Sequence, residues 1–284
     1  MNTNIAKAFL NLSKLSDFRL GNLYRGNNRM NNMGTALEYF IKDIFCGSLS
    51  VDGISKKDKI HSEFLSYSGN QNNPPDFILK GSDAVEVKKI GGSTGYIALN
   101  SSYPKSKLHN DDPRILASCR NCDGGNWNSK DIMYVVGSIV KGKIKLLWFV
   151  YGDCYAADRE VYIKTFNSIS KKVNETEGME FTKTKELAGV KKVDPLGITY
   201  LRIRGMWGIS TPQSVFGNLA DYKRNSDFSA YALMLDSKFQ SMPEKDLKSL
   251  RGCLGNGLSI KGVEIKSPNN PAQYLGAKLI SIVK

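Results

Sequence analysis

Residues 75–90 of the chain read P-D-F-I-L-K-G-S-D-A-V-E-V-K-K-I, and this stretch constrains the fold more than any other. A short apolar run, 77–80, and a Val-rich run, 83–90, flank Gly81-Ser82, a two-residue signal of the kind that closes β-hairpins. Side chains alternate across a strand, so Glu86 and Lys88 share one face while Val85 and Val87 take the other. Asp76 opens the first strand, where a neighbouring strand brings it towards Glu86. Two carboxylates suited to a hard cation such as Mg²⁺, with an ammonium beside an attacking water, are what metal-dependent phosphodiester hydrolysis requires. The competing reading is a solvated edge strand with ordinary charges.

Elements on either side are read from periodicity. Segments 5–15 and 33–45 carry apolar residues at helical spacing, and in the second Leu37, Phe40, Ile41 and Ile44 form one stripe with Glu38 beside it. A helix packed behind the hairpin can direct Glu38 at the same metals, against the plainer reading of a solvated helix residue. Residues 21–32 are Asn-rich and loop-like, 61–67 is expected as the first strand with His61 as a possible proton-transfer group, and 69–75 as a loop. Residues 132–140 and 144–151 read as two buried strands, 160–173 as an amphipathic helix, and 198–204 as a strand. Towards the end, 244–251 reads as a helix, with strands near 260–265 and 277–283. No internal repeat or long linker interrupts the chain, so one α/β domain with insertions fits best.

The 284 residues carry 40 Lys and Arg against 27 acids, a formal charge of +13. Such an excess calls for a polyanionic partner, nucleic acid being the commonest. The positive charge is spread along the chain, which favours a folded basic groove over a disordered arm. No run of 18 apolar residues exists and the first twenty residues lack a signal-peptide core, so a cytoplasmic protein is expected. Cys119 and Cys122 form a single C-x-x-C, which His109 and Cys154 would have to complete for zinc; without a second matched pair the zinc signal is weak.

Two further stretches suit DNA. Ser101, Ser102, Tyr103, Lys105 and Lys107 place hydroxyls, an aromatic ring and two cations in one irregular segment, groups that grip phosphates or merely make up a polar loop. Arg202 and Arg204 share one strand face and can each grip guanine O6 and N7, unless both are paired to surface carboxylates. Asn73-Pro74-Pro75 is similar to the N-P-P-aromatic loop of amino-methyltransferases, but Asp76 stands where the ring belongs and no early G-x-G loop exists, which argues against that class.

The P-D…E-x-K arrangement resembles the catalytic motif of the PD-(D/E)xK nucleases, and the wider chain resembles the NgoPII-type type II restriction endonucleases. The resemblance rests on N-N-M-G-T-A-L-E (31–38), G-N-Q-N-N-P-P-D (69–76), A-V-E-V-K-K-I (84–90), A-L-N-S-S-Y-P-K (98–105), W-F-V-Y-G-D-C-Y-A-A-D (148–158) and D-P-L-G-I-T-Y-L-R-I-R-G-M-W (194–207). It implies a mixed central β-sheet flanked by helices, a catalytic core within 33–165 and DNA-recognition elements within 91–130 and 194–240. It implies that Asp76 and Glu86 bind Mg²⁺ while Lys88 orients or activates the water. It implies also a homodimer cutting double-stranded DNA at a short palindromic GGCC-like site in the bacterial cytoplasm, with a cognate DNA methyltransferase as functional partner. Two alternatives stand beside it: a structure-specific repair nuclease of the same superfamily, and a non-catalytic basic DNA-binding protein.

Overall fold

The computed structural model describes residues 2–23, 32–70, 73–92, 95–220, 226–255 and 257–284. Helices α1 (Ile5–Ser13), α2 (Leu20–Leu23), α3 (Met33–Cys46) and α4 (Ile54–Phe64) lead into strands β1 (Leu65–Asn70), β2 (Asn73–Leu79) and β3 (Ala84–Ile90). Next come β4 (Tyr96–Asn100), β5 (Lys107–His109), the short helix α5 (Ala117–Arg120) and a long hairpin of β6 (Ser129–Val140) and β7 (Lys143–Tyr151). A polar excursion holds α6 (Gly152–Tyr155), α7 (Arg159–Asn174), β8 (Glu180–Phe181), β9 (Ala188–Lys191), β10 (Tyr200–Ile203), β11 (Trp207–Ser210) and α8 (Pro212–Phe216). The chain ends with β12 (Ser229–Leu235), α9 (Asp236–Gln240), α10 (Glu244–Arg251), β13 (Leu258–Lys266) and β14 (Tyr274–Val283).

The main sheet runs β1-β2-β3-β6-β7-β12-β14-β13, with β5 paired to the start of β6. The pairs β3–β6 and β7–β12 are parallel and the others antiparallel, so the sheet is mixed. Strand β3 therefore lies between β2 and β6, its ladder to β2 covering Ala84 and Val85 and its ladder to β6 running on through Glu86 and Lys88. Successive residues of β7 show how both faces are covered. Phe149 meets Phe9 of α1 and Phe45 of α3 edge-on, at 5.5 and 6.4 Å. Trp148 points the other way, packs beside Phe216 of α8, and donates its indole N–H to Gln213 at 3.0 Å. The expected α/β architecture, a mixed sheet between helices, is what the chain forms.

Helix α3 is defined at both ends by its sequence. The Asn32 side chain accepts the Gly34 N–H, and Gly47 closes the helix at φ 69°, a conformation that glycine adopts without strain. Leu37, Phe40, Ile41 and Ile44 are all fully buried, as their spacing predicts. Each such side chain contributes about 1.5–3 kcal/mol of hydrophobic stabilisation.

Two expectations are corrected. Residues 61–67 are not one strand: α4 continues through Phe64, and β1 begins at Leu65. The helix was hidden because its inner face is polar, Lys57 and His61 lying one turn apart and facing Asp43 of α3. His61 Nε2 sits 2.8 Å from Asp43 Oδ1, Ser48 Oγ donates to the same oxygen at 2.6 Å, and Lys57 bonds the other. Burial works to raise the pKa of Asp43, but these hydrogen bonds outweigh it and hold the carboxyl below its ordinary value. His61 thus belongs to a buried network between helices. The loop expected over 69–75 is instead the end of β1 and the start of β2, with Asn70 opposite Asn73. The Asn-rich stretch falls mostly outside the described residues, apart from α2 at its beginning.

Candidate active site

The hairpin register sets the site. Phe77 lies opposite Val85 and Ile78 opposite Ala84, so one residue further along Asp76 falls beside Glu86. There a side-chain bond replaces the backbone ladder, Asp76 Oδ2 accepting the Val87 N–H at 2.6 Å. On the predicted face of β3, Lys88 Nζ lies 2.6 Å from Glu86 Oε1. Val85, on the opposite face, is fully buried in the core. Gly69 of β1 lets the start of β2 come this close, since a Cβ there would stand 2.4 Å from the Pro75 carbonyl oxygen.

The acids are buried and crowded. Burial raises the pKa of Asp76 well above its ordinary value, and the charges of Glu86 and Glu38 add to the rise against Lys88 and the Val87 bond. For Lys88, burial works to lower the pKa, but Glu86, Asp76 and Glu38 outweigh it and leave it raised, so the group is an ammonium. As a cation it can orient water or steady negative charge, and it is not poised as a general base. Glu86 Oε2 is buried and accepts no hydrogen bond. An uncompensated buried carboxylate oxygen beside a second reluctant acid fits a hard divalent cation, and Asp76 with Glu86 are the residues that would hold it. Among the described residues no group of three or more His, Cys, Asp or Glu is placed for a metal. Two carboxylates suffice for Mg²⁺ where water and substrate phosphate complete the shell.

Glu38 lies close enough for its charge to act on both Asp76 and Lys88. Its Oε1 is held by Lys42 Nζ at 2.7 Å, and Lys42 also donates to Ser68 Oγ at 3.0 Å. The trio opens into a cavity of about 490 Å³. Of the DNA-contact candidates, Ser101, Ser102, Tyr103, Lys105 and Arg204 line it; Lys107 and Arg202 are not among its lining residues. Two segments a hundred residues apart in sequence meet here because β11 pairs with β4, Trp207 lying opposite Asn100.

Several of these candidates have internal partners. The Lys105 ammonium is buried, 2.9 Å from Asp112 and 2.7 Å from Ser102 Oγ, with the Tyr103 ring beneath it. A phosphate reaches it only by exchange with Asp112. Lys107 Nζ lies 2.6 Å from Asp131. Arg202 and Arg204 both turn to Glu186, a buried acid between β8 and β9. Glu186, Arg114 and Tyr134 all line the cavity. None carries a local motif, and each reaches the site through pairings distant in sequence. The Asn73 side chain, for instance, donates to the Arg114 carbonyl at 2.9 Å across the cavity wall. Cys119, within α5, and Cys122, just after it, are buried, and burial pushes the Cys119 thiol up to about 12.

An acid pair and a lysine on one hairpin of a mixed, helix-flanked sheet is the arrangement expected of a PD-(D/E)xK nuclease. The family model described as NgoPII restriction endonuclease matches residues 3–266. The "Type II restriction enzyme NgoPII" of Neisseria gonorrhoeae is 41% identical over 279 residues, covering 98% of this chain and 99% of that protein. The chain therefore belongs to the NgoPII restriction endonuclease family. No solved structure matches it.

Proposed function

We propose that this restriction endonuclease hydrolyses one phosphodiester in each strand of duplex DNA at the cavity holding Asp76, Glu86 and Lys88. The observation that carries this reading is the placement of Asp76 beside Glu86 and Lys88 on one hairpin facing a cavity also lined by Lys105, Arg114 and Arg204, with Glu86 Oε2 buried and without a hydrogen-bond partner. Asp76 and Glu86 would hold Mg²⁺, which when bound acidifies a coordinated water and neutralises charge on the phosphate. Lys88 holds the attacking water through its ammonium and offsets the charge that gathers on the phosphate oxygens. Ser101, Ser102 and Tyr103 offer hydroxyls to the strand lying across the cavity mouth. The products are a 5′-phosphate and a 3′-hydroxyl.

The substrate is a short palindrome, GGCC-like, read by arginines against guanine, and its symmetry calls for two copies of the chain working as a homodimer. Recognition elements lie within 91–130 and 194–240, the segments that contribute β4 and β11. The cognate methyltransferase shields the same sequence in the host. Among the described residues no helix is long and apolar enough to cross a membrane.

The test is digestion of a sequenced plasmid in Mg²⁺ with mapping of the ends, beside Asp76→Ala and Lys88→Ala. We expect discrete fragments from the native chain, none in EDTA, and a loss of about 10²-fold or more in cleavage rate for Lys88→Ala. Full cleavage by both variants refutes the assignment.

A further inference from the structure

This inference rests on the proposed cleavage of DNA and concerns how the cavity selects its substrate. Glu186 keeps only 4% of its side chain exposed. Three guanidinium groups surround its Oε1: Arg202 Nη2 at 2.9 Å, Arg204 Nε at 3.6 Å and Arg114 Nη1 at 3.7 Å. Ser101 Oγ donates to Oε2 at 3.3 Å, which ties the cluster to the segment following β4. Burial works to raise the pKa of Glu186, yet the Arg202 hydrogen bond and the three charges outweigh it, so the acid stays ionised.

One carboxylate among three guanidinium groups leaves the cluster two positive charges in excess. A fold-stabilising ion pair needs one arginine, and burying a charge for that purpose alone gains little. Each guanidinium carries five N–H donors in a rigid fork, more than Glu186 can accept. Arg202 and Arg204 leave about half of their side chains exposed, 51% and 56%. Glu186, Arg114, Arg204 and Ser101 all line the cavity that holds Asp76 and Lys88. The wall beside Asp76 and Lys88 thus carries the guanidinium groups of Arg114 and Arg204, gathered together with Arg202 around one buried acid.

We propose that Glu186 is the positioning residue for DNA selection, fixing Arg114, Arg202 and Arg204 as one array and offsetting part of their charge so that they do not grip any phosphate backbone indiscriminately. Loosened arginines with an extra unit of positive charge bind phosphates anywhere; fixed ones favour an acceptor pattern that matches their geometry.

The experiment compares Asp76→Asn with Asp76→Asn/Glu186→Gln, both unable to cut. It measures their affinity for a duplex of about 30 base pairs carrying the sequence mapped by plasmid digestion, and for a scrambled duplex, across a salt series. With Glu186→Gln we expect tighter scrambled binding, a salt slope steeper by about one, and a cognate-to-scrambled ratio lowered about tenfold or more. An unchanged ratio and slope, or equal losses on both duplexes together with a lowered melting temperature, overturns the proposal. If Glu186→Gln does not fold, Arg202→Lys decides: the charge stays and the fork goes, so the ratio should fall at constant slope. An unchanged ratio there refutes the array. The two readings fail separately. A native chain that leaves plasmid uncut in Mg²⁺ sinks the nuclease assignment, whereas native cutting with an unaltered Glu186→Gln ratio sinks only this one.

Discussion

Asp76 is held beside Glu86 by the Val87 N–H although burial, Glu86 and Glu38 all favour its protonated form. Because its pKa is raised on folding, the native chain binds more protons than the unfolded one between the ordinary carboxylate range and the raised value. Stability therefore falls as pH rises through that window, and the full penalty stands above it. We expect Asp76→Asn to melt above the native chain at neutral pH in EDTA, and the two to converge towards acid pH. Millimolar Mg²⁺ should raise the native melting temperature and leave the variant unmoved. A variant that melts lower in EDTA contradicts this account. Lys88 adds a second consequence. Lys88 Nζ already lies 2.6 Å from Glu86 Oε1, so if Glu86 holds Mg²⁺ as proposed, the ammonium and the cation would share that carboxylate.

At the scale of elements, the site depends on how closely β1 and β2 approach. Gly69→Ala places a methyl 2.4 Å from the Pro75 carbonyl oxygen and 3.1 Å from that of Asp76, so the start of β2 must shift. We expect a loss of about 1–3 kcal/mol in stability from denaturant melts. Steady-state rates should fall about 10²-fold from the displaced carboxylate. Native rates in the variant would show that the acid tolerates a different path. Elements with a simple period were legible in the chain itself: α1, α3, the hairpin, β6, β7, α7, α10 and the last two strands all fall near their expected places. Helix α4 was not, because Lys57 and His61 bury their polar atoms on Asp43 where an apolar stripe would have shown. Strand β12, S-A-Y-A-L-M-L, gave no alternation because it is covered on both faces between β7 and β14. Asp76, Glu86 and Lys88 were readable because one hairpin carries all three. Glu186 was not: it lies in the stretch between β8 and β9 with no motif of its own, and it meets Arg202 through the β9–β10 pairing and Arg114 from 72 residues earlier.

Over the whole molecule, 13 net positive charges meet a polyanion. Cluster by cluster, many of those cations already face acids, as Lys105 faces Asp112 and Lys107 faces Asp131. If these lysines take phosphates, as proposed, binding would exchange internal partners for phosphates as well as release counterions. If six or more phosphates are neutralised, affinity of Asp76→Asn for scrambled duplex should fall about 10³-fold or more between roughly 50 and 200 mM salt. Fluorescence anisotropy across that range measures it, and a flat response would show that the spread charge does not face DNA. The pairing of β4 with β11 bears on the order in which the molecule is made. Asp76, Glu86 and Lys88, the proposed hydrolytic groups, are all present once synthesis passes Lys88, whereas the pairing of β4 waits for β11 and the closure of a long loop. On the proposed reading, a chain caught part-way through synthesis would carry Asp76, Glu86 and Lys88 without the β4–β11 pair beside them, so the site would be complete only after about three-quarters of the protein has been made.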